Sequence, residues 1–148
     1  MEQANIISTE ADSLLDLLIA QCADLEALLA LSRRETAAAE ARDFAGMIEV
    51  VTERATLGER LEIYHRQIAE MRQHLGAAAD PALQSKTATR VTELITGILA
   101  QDERTRPMLA TVHDQIGIER RNLNQIRRGL TAYLRDGRGP AVACDERA

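Results

Sequence analysis

Glu62 and His65 stand three residues apart in a stretch rich in glutamate. On a helix that spacing puts a carboxylate and an imidazole on one face. Helical di-metal sites use such pairs, but they need two of them plus two further glutamates. This chain holds one Glu-x-x-His unit and no second, so no metal and no cofactor is expected. Cys22 has no histidine near it in sequence and falls within an apolar stripe, which keeps a thiol inert. His74 belongs to a last helical turn, where an imidazolium suits the helix dipole. His113 sits beside Asp114 and reads as solvated. No glycine-rich phosphate loop follows a strand. The basic series Arg120, Arg121, Arg127, Arg128, Arg135 and Arg138 could touch phosphate. With only Tyr133 near it and an acidic chain around it, it reads as a solvated or acid-paired face, and no nucleic-acid partner is expected. Nothing here assembles a catalytic set, and the chain is not expected to be an enzyme.

The elements that carry these residues are easier to read. The 148 residues are 45% hydrophobic and 28% charged, with Phe44, Tyr64 and Tyr133 the only aromatics. A chain rich in Ala, Leu, Glu and Arg favours helix, because these side chains lose little rotamer freedom there. No alternating β-branched run suggests a sheet. Net charge is -5 but uneven: residues 1–80 hold 15 acidic and 7 basic side chains, and residues 81–148 hold 8 and 11. The simplest consequence is two halves packing with complementary fields. The opening MEQANIISTEAD lacks a basic region and an apolar core, so no secretory signal is expected. Asp16, Asp24 and Glu26 interrupt the leucine-rich opening, short of the about 20 apolar residues of a membrane span. No membrane insertion is expected. A cytoplasmic location follows, in keeping with two cysteines that no disulfide need join.

Three helices are predicted, over about residues 9–41, 43–75 and 81–135. They form one bundle domain over 1–136, with a polar, disordered tail at 137–148. Thr9 and Asp12 have the spacing of a capping box. Asp43 is a natural N-cap for the second helix, and Gly76 suits its left-handed stop. Asp80–Pro81 restarts the chain, with proline where a missing N–H costs nothing. In the third segment Val91, Ile95, Ile98, Leu109, Val112, Ile116, Leu123, Ile126, Leu130 and Tyr133 recur in steps of three and four once Asp102, Thr105 and Glu119 are filled in. That heptad marks a helix lying lengthwise on another. Its phase survives Pro107, which predicts one long, bent helix from about Ala82 to Arg135. Two helices meeting near Thr105 is the alternative the residues leave open. Gly117 and Gly129 should loosen its later half. The architecture is therefore all-α: a long antiparallel hairpin plus a third long, proline-bent helix, in a coiled-coil-like bundle of three to four helices.

Residues 14–31, LLDLLIAQCADLEALLAL, carry more leucine than one stripe requires. Leu14, Leu15, Leu18, Cys22, Leu25 and Leu29 gather on one arc. Leu17, Leu28 and Leu31 lie to its side and widen the apolar arc to roughly 240°, against a little over 100° for an ordinary surface helix. Either the third helix covers these three leucines, or a partner does, as a second subunit or a helix laid in a groove.

At this point the chain resembles a family. LLDLLIAQCADLEALLALSRRETAAAEARDFAGMIEVVTERATLGERLE resembles the front half of FlgN-type flagellar export chaperones: leucine pairs, acidic and leucine repeats, an Ala-rich corner with Asp, then a second amphipathic helix. ILAQDERTRPML and IRRGLTAYL look like the related FliT-type chaperones, with an Asp-Glu-Arg cluster in the long helix and a late Gly129…Tyr133 pair. The likeness covers residues 10–135, and Pro107 departs from it. It implies a cytoplasmic helical carrier without cofactor. Such a carrier binds the amphipathic terminal helices of late flagellar axial subunits, hook–filament junction or filament cap proteins, keeps them from polymerising early, and delivers them to the export apparatus. Periodicity and likeness together nominate Ile116, Leu123, Ile126, Leu130 and Tyr133 as client contacts, followed by Leu17, Leu28 and Leu31. The competing reading is a homodimeric coiled-coil adaptor without chaperone activity.

Overall fold

The computed structural model describes the backbone of residues 1–147 and the side chains of residues 1–132 except 116, 119, 120 and 123. Helices α1 (Glu2–Ala41), α2 (Phe44–Leu75), α3 (Asp80–Leu83) and α4 (Lys86–Arg147) follow in order, with a 3₁₀ turn at Gly76–Ala79 before α3. No strand occurs among the described residues. The all-α expectation is met. The chain divides into two units, Met1–Met108 and Leu109–Ala148.

The first unit is a bundle of α1, α2 and the opening of α4. Cross-pairs give the directions. Glu10 meets His74, Asp24 meets Arg60, and Arg34 meets Glu53, so α1 and α2 run antiparallel. Glu26 meets Arg90 and Glu40 meets Arg104, so this part of α4 runs parallel to α1. Two apolar clusters fill the interior. Leu14, Leu18, Ile68, Ala79 and Ala82 close the end near the 3₁₀ turn, with Tyr64 and Met71 against them. Leu25, Val91, Leu94 and Ile98 form the middle, flanked by Cys22, Leu28, Leu29 and Leu61. These are the positions an amphipathic α1 must bury.

The α1–α2 corner forms where the residues asked for it. Arg42 takes a left-handed conformation, φ 54°, and the Asp43 N–H closes on the Ala38 carbonyl at 2.9 Å. The Asp43 carboxylate then accepts the Gly46 N–H at 3.0 Å, capping α2. A Cβ on Gly46 would meet that carboxylate, so a side chain there would make the Asp43 carboxylate shift. Gly76 ends α2 as expected, at φ 54° but with ψ -124°, so its conformation is not the left-handed helical one predicted.

Four boundaries differ from expectation. Helix α1 starts at Glu2, not near Thr9, because the Thr9 hydroxyl donates back to the Asn5 carbonyl at 2.9 Å instead of capping. Asp80–Pro81 begins only the single turn α3. Ser85 starts the long helix: its Oγ donates to the Ala82 carbonyl at 2.6 Å and accepts the Ala88 N–H at 3.2 Å. Helix α4 is continuous through Pro107, as the unbroken heptad phase predicted. The carbonyl that proline crowds belongs to Glu103, whose side chain and neighbour Arg104 are exposed, so water can reach it. The helical backbone also runs on to Arg147, through Asp136–Pro140. Glycine and proline raise the cost of a helix there without forbidding it.

Candidate partner-binding site

The nominated residues of α4 lie on its seam, and in the first unit that seam works as a packing edge. Val91, Ile98 and Thr105 are buried, in the expected phase. One position is corrected: Leu94 is 1% exposed and Ile95 41%. The helix presents Leu94 to α1, next to Leu25, and turns Ile95 outward.

Where the seam reaches Asp102 and Thr105 the core becomes polar. Arg54 of α2 donates two hydrogen bonds to the Asp102 carboxylate, at 2.9 and 2.8 Å. It also donates to the Ser32 hydroxyl at 3.0 Å and to Glu35 at 3.4 Å, so one guanidinium ties all three helices. Beside it the hydroxyls of Thr36 and Thr105 share a hydrogen bond, and Gln101 Nε2 donates to Thr36 at 2.6 Å. The Arg54 fork holds the Asp102 carboxyl below the usual carboxylate range and raises its own affinity for protons. Every buried side-chain nitrogen or oxygen among the described residues finds a partner. The heptad placed Asp102 and Thr105 at the seam. It could not show that Ser32, Glu35 and Arg54 converge on them from two other helices.

The nominated leucines of α1 belong to the bundle. Leu31 is 6% exposed and faces α2, in a surface groove of about 510 Å³ with Ala27, Thr56 and Leu57. Leu17 is half-buried against the Leu14–Leu18–Ile68 cluster, beside a groove of about 470 Å³ bounded by Gln67 and Met71. Leu28 is half-buried against the middle cluster. The wide apolar arc of α1 is thus what a helix packed on two neighbours needs.

The later α4 positions stand differently. Val112 is buried, but Ile126 and Leu130, on the same seam, are 58% and 57% exposed. Ile118 is exposed as well. Ile116, Leu123 and Tyr133 lie outside the residues whose side chains are described. A second exposed apolar set, which the sequence reading did not single out, runs along α2: Phe44, Ile48 and Val51 at helical spacing. Leu99 of α4 is exposed too. The signal was present, since four- and three-residue steps of apolar side chains recur at 44, 48 and 51.

The reactive residue types do not converge. Glu62 and His65 are both exposed, and no group of three or more metal-ligating side chains occurs among the described residues. Burial, then the nearby Glu26, push the Cys22 thiol up, which lowers its nucleophilic fraction. His74 meets Glu10 at 3.2 Å on the surface. Among the described residues no helix is long and apolar enough to cross a membrane.

Comparison with known proteins returned no matching family model, no matching curated protein and no matching solved structure.

Proposed function

We propose that this chain is a carrier for amphipathic helices, a cytoplasmic export chaperone of the FlgN/FliT type. Its client is a terminal helix of a late flagellar axial subunit, from the hook–filament junction or the filament cap. It masks the client's polymerising face and hands it to the export apparatus. The observation that supports this is the α4 seam. The apolar register is buried at Val91, Ile98 and Val112, with Ile95 turned outward between them, and is exposed at Ile126 and Leu130. A heptad edge left open is built to receive another helix. The resemblance of residues 10–135 to those chaperones supplies the kind of client.

The test is capture of a terminal helix from such a subunit by the full chain. Ile126→Asp with Leu130→Asp should weaken capture by roughly 100-fold or more, since each apolar contact is worth about 1.5–3 kcal/mol when buried. Helix content should be unchanged, because both side chains are exposed. Ile48→Asp with Val51→Asp is the paired control. Capture lost there and kept in the α4 variant would move the site to α2 and overturn the reading.

The same open seam also suits a homodimeric adaptor, in which a second copy covers Ile126 and Leu130. Light scattering distinguishes the two. A carrier exchanges into a 1:1 complex with client, and an adaptor stays a dimer.

A further inference from the structure

Residues 120–135 contain five arginines and no aspartate or glutamate, in a chain of net charge -5. Three of them, Arg121, Arg128 and Arg135, fall on the outer face of that heptad, and the other two fall beside the seam. With Ile126 and Leu130 as seam positions, Arg120 and Arg127 occupy the position directly beside the seam on one edge, one heptad apart. The corresponding positions on the other edge are Asn122 and Gly129, both uncharged. Among the described residues Arg127 is exposed and no acid pairs with it. Two further observations select the kind of surface that fits. The apolar repeat keeps the 3.5-residue period of helix-on-helix packing through Leu130. The charge beside the seam also sits where a coiled coil places the residues that choose its partner.

We infer that the helix received by this seam is acidic along one edge, with Glu or Asp opposite Arg120 and Arg127. This rests on the carrier reading and specifies the client's chemistry. The uncharged edge at Asn122 and Gly129 makes no such demand. The single charged edge therefore acts on which helix is received.

Two synthetic peptides of about four heptads test it, with the same Leu/Ile seam and either Glu or Lys at both flanking positions. Binding to the full chain is read by fluorescence anisotropy at low and high salt. The Glu peptide should bind roughly tenfold or more tighter, with the gap narrowing as salt rises. Arg120→Glu with Arg127→Glu should invert the preference, with helix content checked by circular dichroism. Equal binding of both peptides would overturn the acidic edge and leave the seam as a carrier site. Binding of neither would overturn both readings. Preference for vesicles of phosphatidylglycerol over either peptide would assign the basic edge to a lipid surface and overturn the inference. So would a dimer of the chain that neither peptide displaces.

Discussion

Arg54 is the residue on which the three helices of the first unit agree. Its fork on Asp102 and its contacts with Ser32 and Glu35 replace an apolar layer by a directional one. Such a layer adds little net stability compared with well-packed hydrocarbon, yet removing one partner strands the others. Arg54→Met should lower the unfolding free energy by about 2 kcal/mol in urea titration, the cost of leaving charged groups without their hydrogen bonds. The pH dependence has a defined sign. Asp102 titrates lower in the folded chain than in the unfolded one, so its contribution is complete above about pH 4 and fades as pH falls through its folded value. Asp102→Asn should therefore show a smaller loss of urea midpoint between pH 7 and pH 3 than the parent chain. An unchanged acid limb would mean the carboxylate contributes nothing to it. This layer was half legible in the sequence. Periodicity marks which positions on α4 face inward, Asp102 and Thr105 included. Nothing along one strand of text says which side chains on two other helices will meet them.

At the scale of the helices, ends were readable where one residue does the ending. Asp43 capped and Gly76 stopped as their chemistry requires. Ser85 was overlooked because the adjacent Asp80–Pro81 carries the louder signal, and Thr9 misled because a hydroxyl can bond back along a helix as well as cap it. Two substitutions follow. Arg42 holds a left-handed conformation that glycine adopts without a Cβ penalty, so Arg42→Gly should stabilise the corner by about 1 kcal/mol. Gly58 lies inside α2, and an added Cβ there would meet nothing within 4 Å. Gly58→Ala should gain about 1 kcal/mol from helix propensity alone. Thermal melts of the two single variants and the double should show additive gains, as the sites share no partner. A loss at Gly58 would mean that something outside this chain approaches that face.

For the molecule as a whole, the sequence reading anticipated a helical hairpin with a third helix along it. It counted surplus leucine on α1 that turned out not to be surplus. Leu17, Leu28 and Leu31 look excessive only if α1 has one neighbour, and in the first unit it has two. The seam at Ile126 and Leu130 was legible from its spacing, and both side chains are exposed. Within α4 itself the surroundings change in order: hydrocarbon around Leu94 and Ile98, then the Arg54 layer at Asp102 and Thr105, then exposed side chains at Ile126 and Leu130. One uninterrupted helix thus samples three different protections of identical backbone bonds. Placed in heavy water, its amides should not exchange together. Those near residue 130 should take up deuterium first, those beside Thr105 later, and those at Leu94 last, so that the isotope front moves along α4 towards its N-terminus.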